Sequence, residues 1–393
     1  MAKQQYYLPV NWVDGMKINK NHFIDEQNAR VQAQALATGA HISHINYGLL
    51  PPVAGEHSPI NLQINFDNQQ QVVVNLLSCR AVTPGGYVIN IEQDEDVEYT
   101  TVSEKILGLS VPFAELRLKS ETYFVVLAVN PYKRIPTGNA LEDELPLRIP
   151  FTLPHYSLSL MPEEDLQHQR PGLYQLVIGK FFIKEQNIQV DQDYIPPSVT
   201  SSSHPELIDV FAGMEAFISK MELYCTQIMQ KIIIKKQQNE LALIVQRICE
   251  NMLQYSNSHA MIYRWSMLHE PPLHMLSVIA SMARVLKNTL DQYLGSGKEE
   301  LINYFMEWCD LKQGELENLI TNLTNHKYVH EDINATVELT ADFSKSISTL
   351  FHNLSRLEYI GKKRDANIFV KEEVVKSDFP EMEIKKRRSF LAD

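Results

Sequence analysis

A few stretches of this 393-residue chain hold residue types whose spacing could support chemistry. Gly295-Ser-Gly297-Lys298 has the glycine–lysine ending of a phosphate-binding loop. Such a loop needs another glycine five residues before Gly297, where the chain has Gln292, and Ser or Thr after the lysine, where it has Glu299. The stretch also follows a helical pattern and not a strand, so a helix–helix turn is expected. His41 and His44 stand three apart, a spacing that suits two ligands to one metal. No Asp, Glu or Cys near them completes a ligand set. In His269-Glu-Pro-Pro-Leu-His274 the paired prolines exclude a continuous H-E-x-x-H helix, and a helix start is expected instead. The motifs G-x-S-x-G, G-x-G-x-x-G and H-E-x-x-H do not occur. No residue is nominated as catalytic and no cofactor or metal site is implied. A non-enzymatic role is expected.

Composition narrows the partners. With 36 basic and 48 acidic residues the net charge is −12, which argues against a broad nucleic-acid surface, where Lys and Arg must neutralise phosphates. No small-molecule substrate is implied either. The hydrophobic fraction of 44% is enough for a sizeable core. Cys79, Cys225, Cys249 and Cys309 lie far apart and form no C-x-x-C pair, so buried free thiols are expected. The N-terminus lacks the apolar core of a signal peptide. The longest apolar run, Tyr123 to Val129, falls far short of the roughly 20 residues a spanning helix needs. These features together predict a cytoplasmic protein. The cluster Lys385 to Arg388 is read as part of a solvated tail, with contact to an anionic membrane surface as its alternative.

The pattern changes character near residue 200. Ile60, Leu62, Ile64 and Phe66 alternate with polar residues, the period-2 signature of a half-buried strand. Further strands are predicted at Val72–Leu77, Tyr87–Ile89, Tyr123–Val129, Tyr156–Leu160, Leu173–Ile183 and Ile188–Val190, separated by turns such as Asp67-Asn68 and Pro84-Gly85-Gly86. Many short strands favour a β-sandwich or barrel over a parallel α/β sheet. One helix, Asp25 to Ala40, precedes them.

Tyr194-Ile-Pro-Pro197 and Ser201–Ser203 mark the boundary. Ser203 and Glu206 have capping-box spacing, opening a helix expected to run to about Tyr255. Along it, Phe211, Met214, Ile218, Met221, Cys225, Ile228 and Ile232 form a heptad seam, spaced alternately three and four apart. Parallel self-association and packing within one chain both fit that seam. At Lys235 and Asn239 a displaced set takes over (Leu241, Ile244, Ile248, Met252), read as a stutter or a change of partner. A last helix carries a second seam, Phe343, Ile347, Leu350, Leu354 and Leu357, and ends at Gly361.

The most unusual stretch is Trp12-Val-Asp14-Gly15-Met16-Lys-Ile18-Asn-Lys-Asn-His22-Phe23. Placed before the first helix, it is expected to be extended, yet its large apolar side chains must be buried somewhere. It either folds back on its own sandwich or docks into another subunit. Here the residues resemble the N-terminal signature of the TssK family, the baseplate subunits of bacterial type VI secretion systems, which reads W-x-E-G-M-x-L-x-P-Q-H-F. Trp12, Gly15, Met16, His22 and Phe23 match, Asp14 replaces the glutamate and Ile18 the leucine. Lys20-Asn21 stands where the family has Pro-Gln. Tyr47-Gly48-Leu49, Tyr194–Pro197 and Pro271-Pro272 agree in placement.

The resemblance implies a homotrimer with an N-terminal β shell, a helical neck and a C-terminal head. Its N-terminal extension would dock on the wedge proteins TssF and TssG, and its head would contact inner-membrane complex proteins, placing the subunit in the cytoplasm at the inner membrane. The seam from Phe211 to Ile232 then meets its own copies across a threefold. The expected class is α+β, with a docking extension (1–24), a β-sandwich shell (25–197), a helical neck (198–297), a small helical head (298–376) and a charged tail (377–393). Competing readings are a phage-like receptor-binding protein acting outside the cell and a cytosolic hydrolase without recognised motifs.

Overall fold

The computed structural model describes residues 6–53, 55, 57–92, 107–140, 145–168, 170–293, 295, 297–308 and 314–361. The expected tail and Cys309 lie outside them. The chain forms two units, one of Met1–Leu207, His269–Pro272 and Val329–Asn334, the other of Ile208–Leu268, Leu273–Tyr328 and Ala335–Asp393. The fold class is α+β, as expected.

In the first unit helix α1 (Lys20–Gly39) precedes two antiparallel sheets. Strand β3 (Gln71–Val82) is the axis of the first sheet and pairs with β1 (Gly48–Leu49), β2 (Ile60–Phe66), β4 (Val88–Ile91) and β5 (Leu107–Pro112). The β2–β3 turn is built by Asp67, whose carboxylate accepts from the N–H groups of Gln69 and Gln71 at 2.9 and 2.8 Å. A short helix α2 (Phe113–Arg117) leads to the second sheet. There β6 (Thr122–Thr137) lies between β7 (Phe151–Pro162) and β8 (Gln175–Lys184), with β9 (Asn187–Val190) beside β8 and a short helix α3 (Glu163–His168) after β7. Val72, Val74 and Leu76 of β3 share one core with Val125 and Leu127 of β6 and Leu176 of β8. The predicted sandwich is present. Because Phe124, Val126 and Val177 pack with Tyr194 on the other face of the second sheet, β6 reads as a continuous apolar run and not as an alternation.

Two stretches distant in sequence close this unit. Gly48, at φ +110°, approaches Pro197 so closely that an added Cβ would lie 1.9 Å from the Pro197 carbonyl oxygen. Leu49 N–H donates to that oxygen at 2.7 Å. The Tyr47 hydroxyl donates to Glu331 Oε1, the Tyr194 hydroxyl to the Glu331 carbonyl and His330 Nε2 to the Tyr47 carbonyl, each at 2.8 Å. Asn334 accepts from Ile195 N–H at 2.7 Å and donates to the Asp193 carbonyl at 2.6 Å. Residues 329–334 thereby belong to the sandwich unit, although they were expected in the head.

The second unit holds most of the long helices: α4 (Pro205–Ile234) from Ile208 onward, α5 (Glu240–Ser266), α6 (Pro272–Asp291), α7 (Lys298–Met306), α8 (Glu315–Asn325) and α9 (Ile333–Arg356). The expected continuous helix to Tyr255 is two helices. The seam shift at Lys235–Asn239 is a turn, with Lys236 at φ +46° and the Asn239 side chain capping α5 through Ala242 N–H at 2.7 Å. Nor does Ser203 open α4 with Glu206. Its hydroxyl instead accepts from Thr200 N–H at 3.2 Å, in a box around the 3-10 turn Ser201–Ser203.

The seam itself is covered by its own chain. Met214, Ile218, Met221, Cys225, Ile228 and Ile232 are all buried, and half-buried Phe211 stacks on Tyr263 of α5 at 5.0 Å. Phe217 meets Phe343 of α9 edge-on at 6.2 Å, and Lys231 donates to the carbonyls of Ser355 and Leu357 at the end of that helix. This corrects the threefold-contact reading, since a side chain buried within one chain offers no surface to another copy. Helices α4 and α9, expected in the neck and the head, share one unit. The second seam is likewise internal: Phe343, Ile347, Leu350 and Leu354 are buried and Leu357 half-buried. Cys79, Cys225 and Cys249 are buried free thiols, as predicted.

Two measurements follow. Leu354→Ala should cost about 2–5 kcal/mol in denaturant unfolding, through lost burial and the cavity left behind. Burial pushes the His330 imidazole down to about 4 from an ordinary 6.5, so the folded state holds it neutral where the unfolded chain takes up a proton. Its contribution is intact above pH 6.5 and lost as pH falls toward 4, worth about 3 kcal/mol at 1.36 kcal/mol per unit. His330→Gln should flatten the stability profile across that window, with His204, also lowered to about 4 by burial, and His352, lowered by burial too, among the groups that keep some pH dependence there.

Candidate protein-docking surface

The opening segment lies along α1. Tyr7 N–H donates to Gln32 Oε1 at 2.8 Å and Val10 N–H to Glu26 Oε2 at 3.1 Å, while the Trp12 ring sits 6.1 Å from those of His22 and Phe23. The partners step backward along the helix as the segment advances, so the two run antiparallel. The Val10 N–H is the largest influence holding the Glu26 carboxyl below its ordinary value, with smaller contributions from Arg30 and the Trp12 indole. At its start the segment folds back on its own unit, where Tyr7 stacks on Tyr132 of β6 at 4.3 Å.

Two devices then position the aromatic residues. Met16 N–H donates to the Val13 carbonyl at 3.1 Å, closing a turn whose third residue, Gly15, has φ +79°. Glycine enters that left-handed region without strain. Asn19 is the N-cap of α1: its Oδ1 accepts from Asn21 N–H at 2.9 Å and His22 N–H at 3.4 Å, and His22 Nδ1 accepts from Asn19 N–H at 3.4 Å. The helix therefore starts at Lys20 and not Asp25, and His22 and Phe23 stand in its first turn and not on an extended strand. Lys20 takes the first helical position. Proline is well tolerated at that position because its missing N–H would be an orphan there, so lysine in its place removes nothing the helix needs.

The side chains that remain uncovered define the surface. Trp12 is 45%, Ile18 58% and Phe23 56% exposed, with Val13 beside Trp12 in sequence at 61%. Asp14 and Gly15 are exposed at the turn, while Met16 and His22 are half-buried. Of the segment's predicted residues, Trp12, His22 and Phe23 form one ring cluster, and His22 serves as a cap. Reading the sequence alone misses Asn19, Glu26 and Tyr7. A signal for the first existed in the Asn-x-x-His spacing, but the other two act through partners that spacing does not reveal.

Elsewhere, Gly297 at φ +100° begins α7. Lys298 is held by Asp291 at 2.8 Å and Glu317 at 3.1 Å, and its pKa is raised, chiefly by Asp291. The expected helix–helix turn is thus present and its lysine is engaged with carboxylates. Pro272 opens α6, as predicted for the His269–His274 stretch. Among the described residues no group of three His, Cys, Asp or Glu is placed to hold a metal, and no helix is long and apolar enough to cross a membrane.

The chain is similar to TssK structures. A crystal structure of TssK matches over 85% of this chain and 68% of its own, at 14% identity and a TM-score of 0.45. A chain of the type VI secretion TssK-TssF-TssG baseplate subcomplex matches over 86% and 99%, at 12% identity and 0.44. A chain of the type VI baseplate complex matches over 91% and 100%, at 12% identity and 0.46. No protein-family model and no curated protein matches.

Asn19→Ala should remove the two hydrogen bonds that the side chain accepts from Asn21 and His22 N–H, leave the backbone N–H of residue 19 to His22 Nδ1, and cost about 1 kcal/mol. Hydrogen exchange at the amides of Asn21 and His22 should rise in that variant while those of β3 stay protected.

Proposed function

We propose that the chain is a structural baseplate subunit of the TssK kind in a bacterial type VI secretion system, and that Trp12–Phe23 docks it on the TssF–TssG wedge. One observation carries this reading: Trp12 and Phe23 are exposed, adjacent and held in place by Gly15 and Asn19, in a segment whose residues match the TssK signature. Aromatic anchors already fixed before binding lose little conformational entropy on docking, which favours them as binding hot spots. Ile18 and Val13 would extend the apolar contact, and Asp14 stands at the turn where the family carries glutamate.

The finer features follow the resemblance. The subunit is a homotrimer that joins the wedge to the inner-membrane complex, in the cytoplasm and peripheral to the inner membrane when assembled. Its work is assembly and not catalysis, with no nucleic acid and no small-molecule substrate among its partners. A buried Phe211–Ile232 seam leaves the trimer contact to other residues.

Co-purification with TssF and TssG tests the docking. Trp12→Ala and Phe23→Ala should each weaken capture by roughly 30-fold or more, the equivalent of a hot-spot loss of about 2 kcal/mol. The melting temperature should stay near wild type, since both side chains are about half exposed. Undiminished capture by the double variant would refute the proposal.

A further inference from the structure

The seam on α4 is used up inside the chain, but α5 leaves another apolar face uncovered. Met261, Ile262 and Trp265 are 52%, 51% and 74% exposed. Met261 and Trp265, four residues apart, lie on one side of the helix with Ile262 next to them. An indole this exposed leaves a large apolar area in water and a ring N–H suited to a partner.

The same two helices also form a groove of about 200 Å³, lined by Ile218, Ala260 and Met261 and by Glu215, Glu222 and Arg264. Arg264 is engaged with Glu215 at 2.6 Å. Glu222 has no ion pair among the described residues, so its carboxylate can accept a hydrogen bond. Cavities of roughly 150 Å³ take up a benzene ring, so this groove has room for much of an indole. Its charge also complements an indole N–H. The chain thus presents an aromatic knob on α5 and, between α4 and α5, a groove of mixed polarity with an acidic side.

We infer that Trp265 of one copy seats in the α4–α5 groove of the next, with its ring N–H directed to Glu222. A knob-to-groove contact is heterologous: it closes a ring or extends as a filament, whereas a face packed on itself stops at two copies. The inference rests on the trimer reading for the number of copies and names the residues that join them.

Light scattering on the full chain tests it. Wild type should run at three times 45.1 kDa. Trp265→Ala, which lacks the knob, and Ala260→Trp, whose groove is filled, should each run at 45.1 kDa with far-UV spectra unchanged. An equimolar mixture should run at twice 45.1 kDa, because an intact knob meets an intact groove once and nothing remains to continue the ring. Glu222→Arg provides a second way to block the groove if Ala260→Trp does not fold. Trimeric Trp265→Ala beside trimeric wild type would overturn this contact and leave the trimer standing. Monomers in the mixture would overturn the knob-and-groove arrangement. A monomeric wild type would overturn both the contact and the trimer, and wedge capture would still report separately on docking.

Discussion

A side chain at residue 48 would put its first carbon 1.9 Å from the Pro197 carbonyl oxygen, so these two stretches of backbone can meet only around glycine. Their meeting sets what the sandwich unit can bury. Pro196 and Pro197 bring no N–H groups to this buried stretch, so each of them leaves only a carbonyl to be matched there. Tyr47 and Tyr194 flank the contact, and each carries a hydroxyl into a region where an unpaired polar group is costly. Glu331 answers both, one hydroxyl through its carboxylate and the other through its carbonyl. Thus a segment more than 130 residues downstream of Tyr194 becomes part of the sandwich.

Most of the strands could be read beforehand because they obey local rules. Ile60, Leu62, Ile64 and Phe66 alternate since one side of β2 faces the core, and Asp67 turns the chain by bonding its own neighbours. The uninterrupted apolar run of β6 pointed to a strand without saying why it does not alternate, which depends on Tyr194 covering its far face. The attachment of residues 329–334 had no local signal. Its hydrogen bonds join groups far apart in sequence, and neither His330 nor Glu331 looks unusual without Tyr47 beside it. The break between α4 and α5 was hidden for a related reason. Lys235 to Gln238 contains neither Gly nor Pro, so the turn showed only as a displaced apolar stripe.

At the opening segment the apolar residues were legible and their support was not. An aromatic residue in a loose chain pays rotational and backbone entropy on binding, which erodes the contact it makes. Here the Gly15 turn and the Asn19 cap have already fixed Trp12 and Phe23 near one another. What holds the pair is ordinary helix-start chemistry. Docking would need only apolar area to be removed from water, an interaction worth roughly 25 cal/mol per Å².

The seam of α4 shows why spacing names an apolar stripe without naming what covers it. A heptad repeat is met equally by a copy of the same helix and by α5 and α9 of the same chain. Residue types discriminate better. Parallel self-associating helices favour regular β-branched and leucine knobs, whereas this seam mixes Phe, Met, Cys and Ile. Met and Cys adapt to irregular gaps of the sort a bundle of unequal helices presents. Cys225 meets Cys249 of α5, whose thiol is pushed well up, first by burial and then by that contact. A buried neutral thiol of this kind serves as a small apolar filler. The composition of the stripe therefore fits packing within one chain, and any contact between copies would have to use side chains the bundle leaves outside.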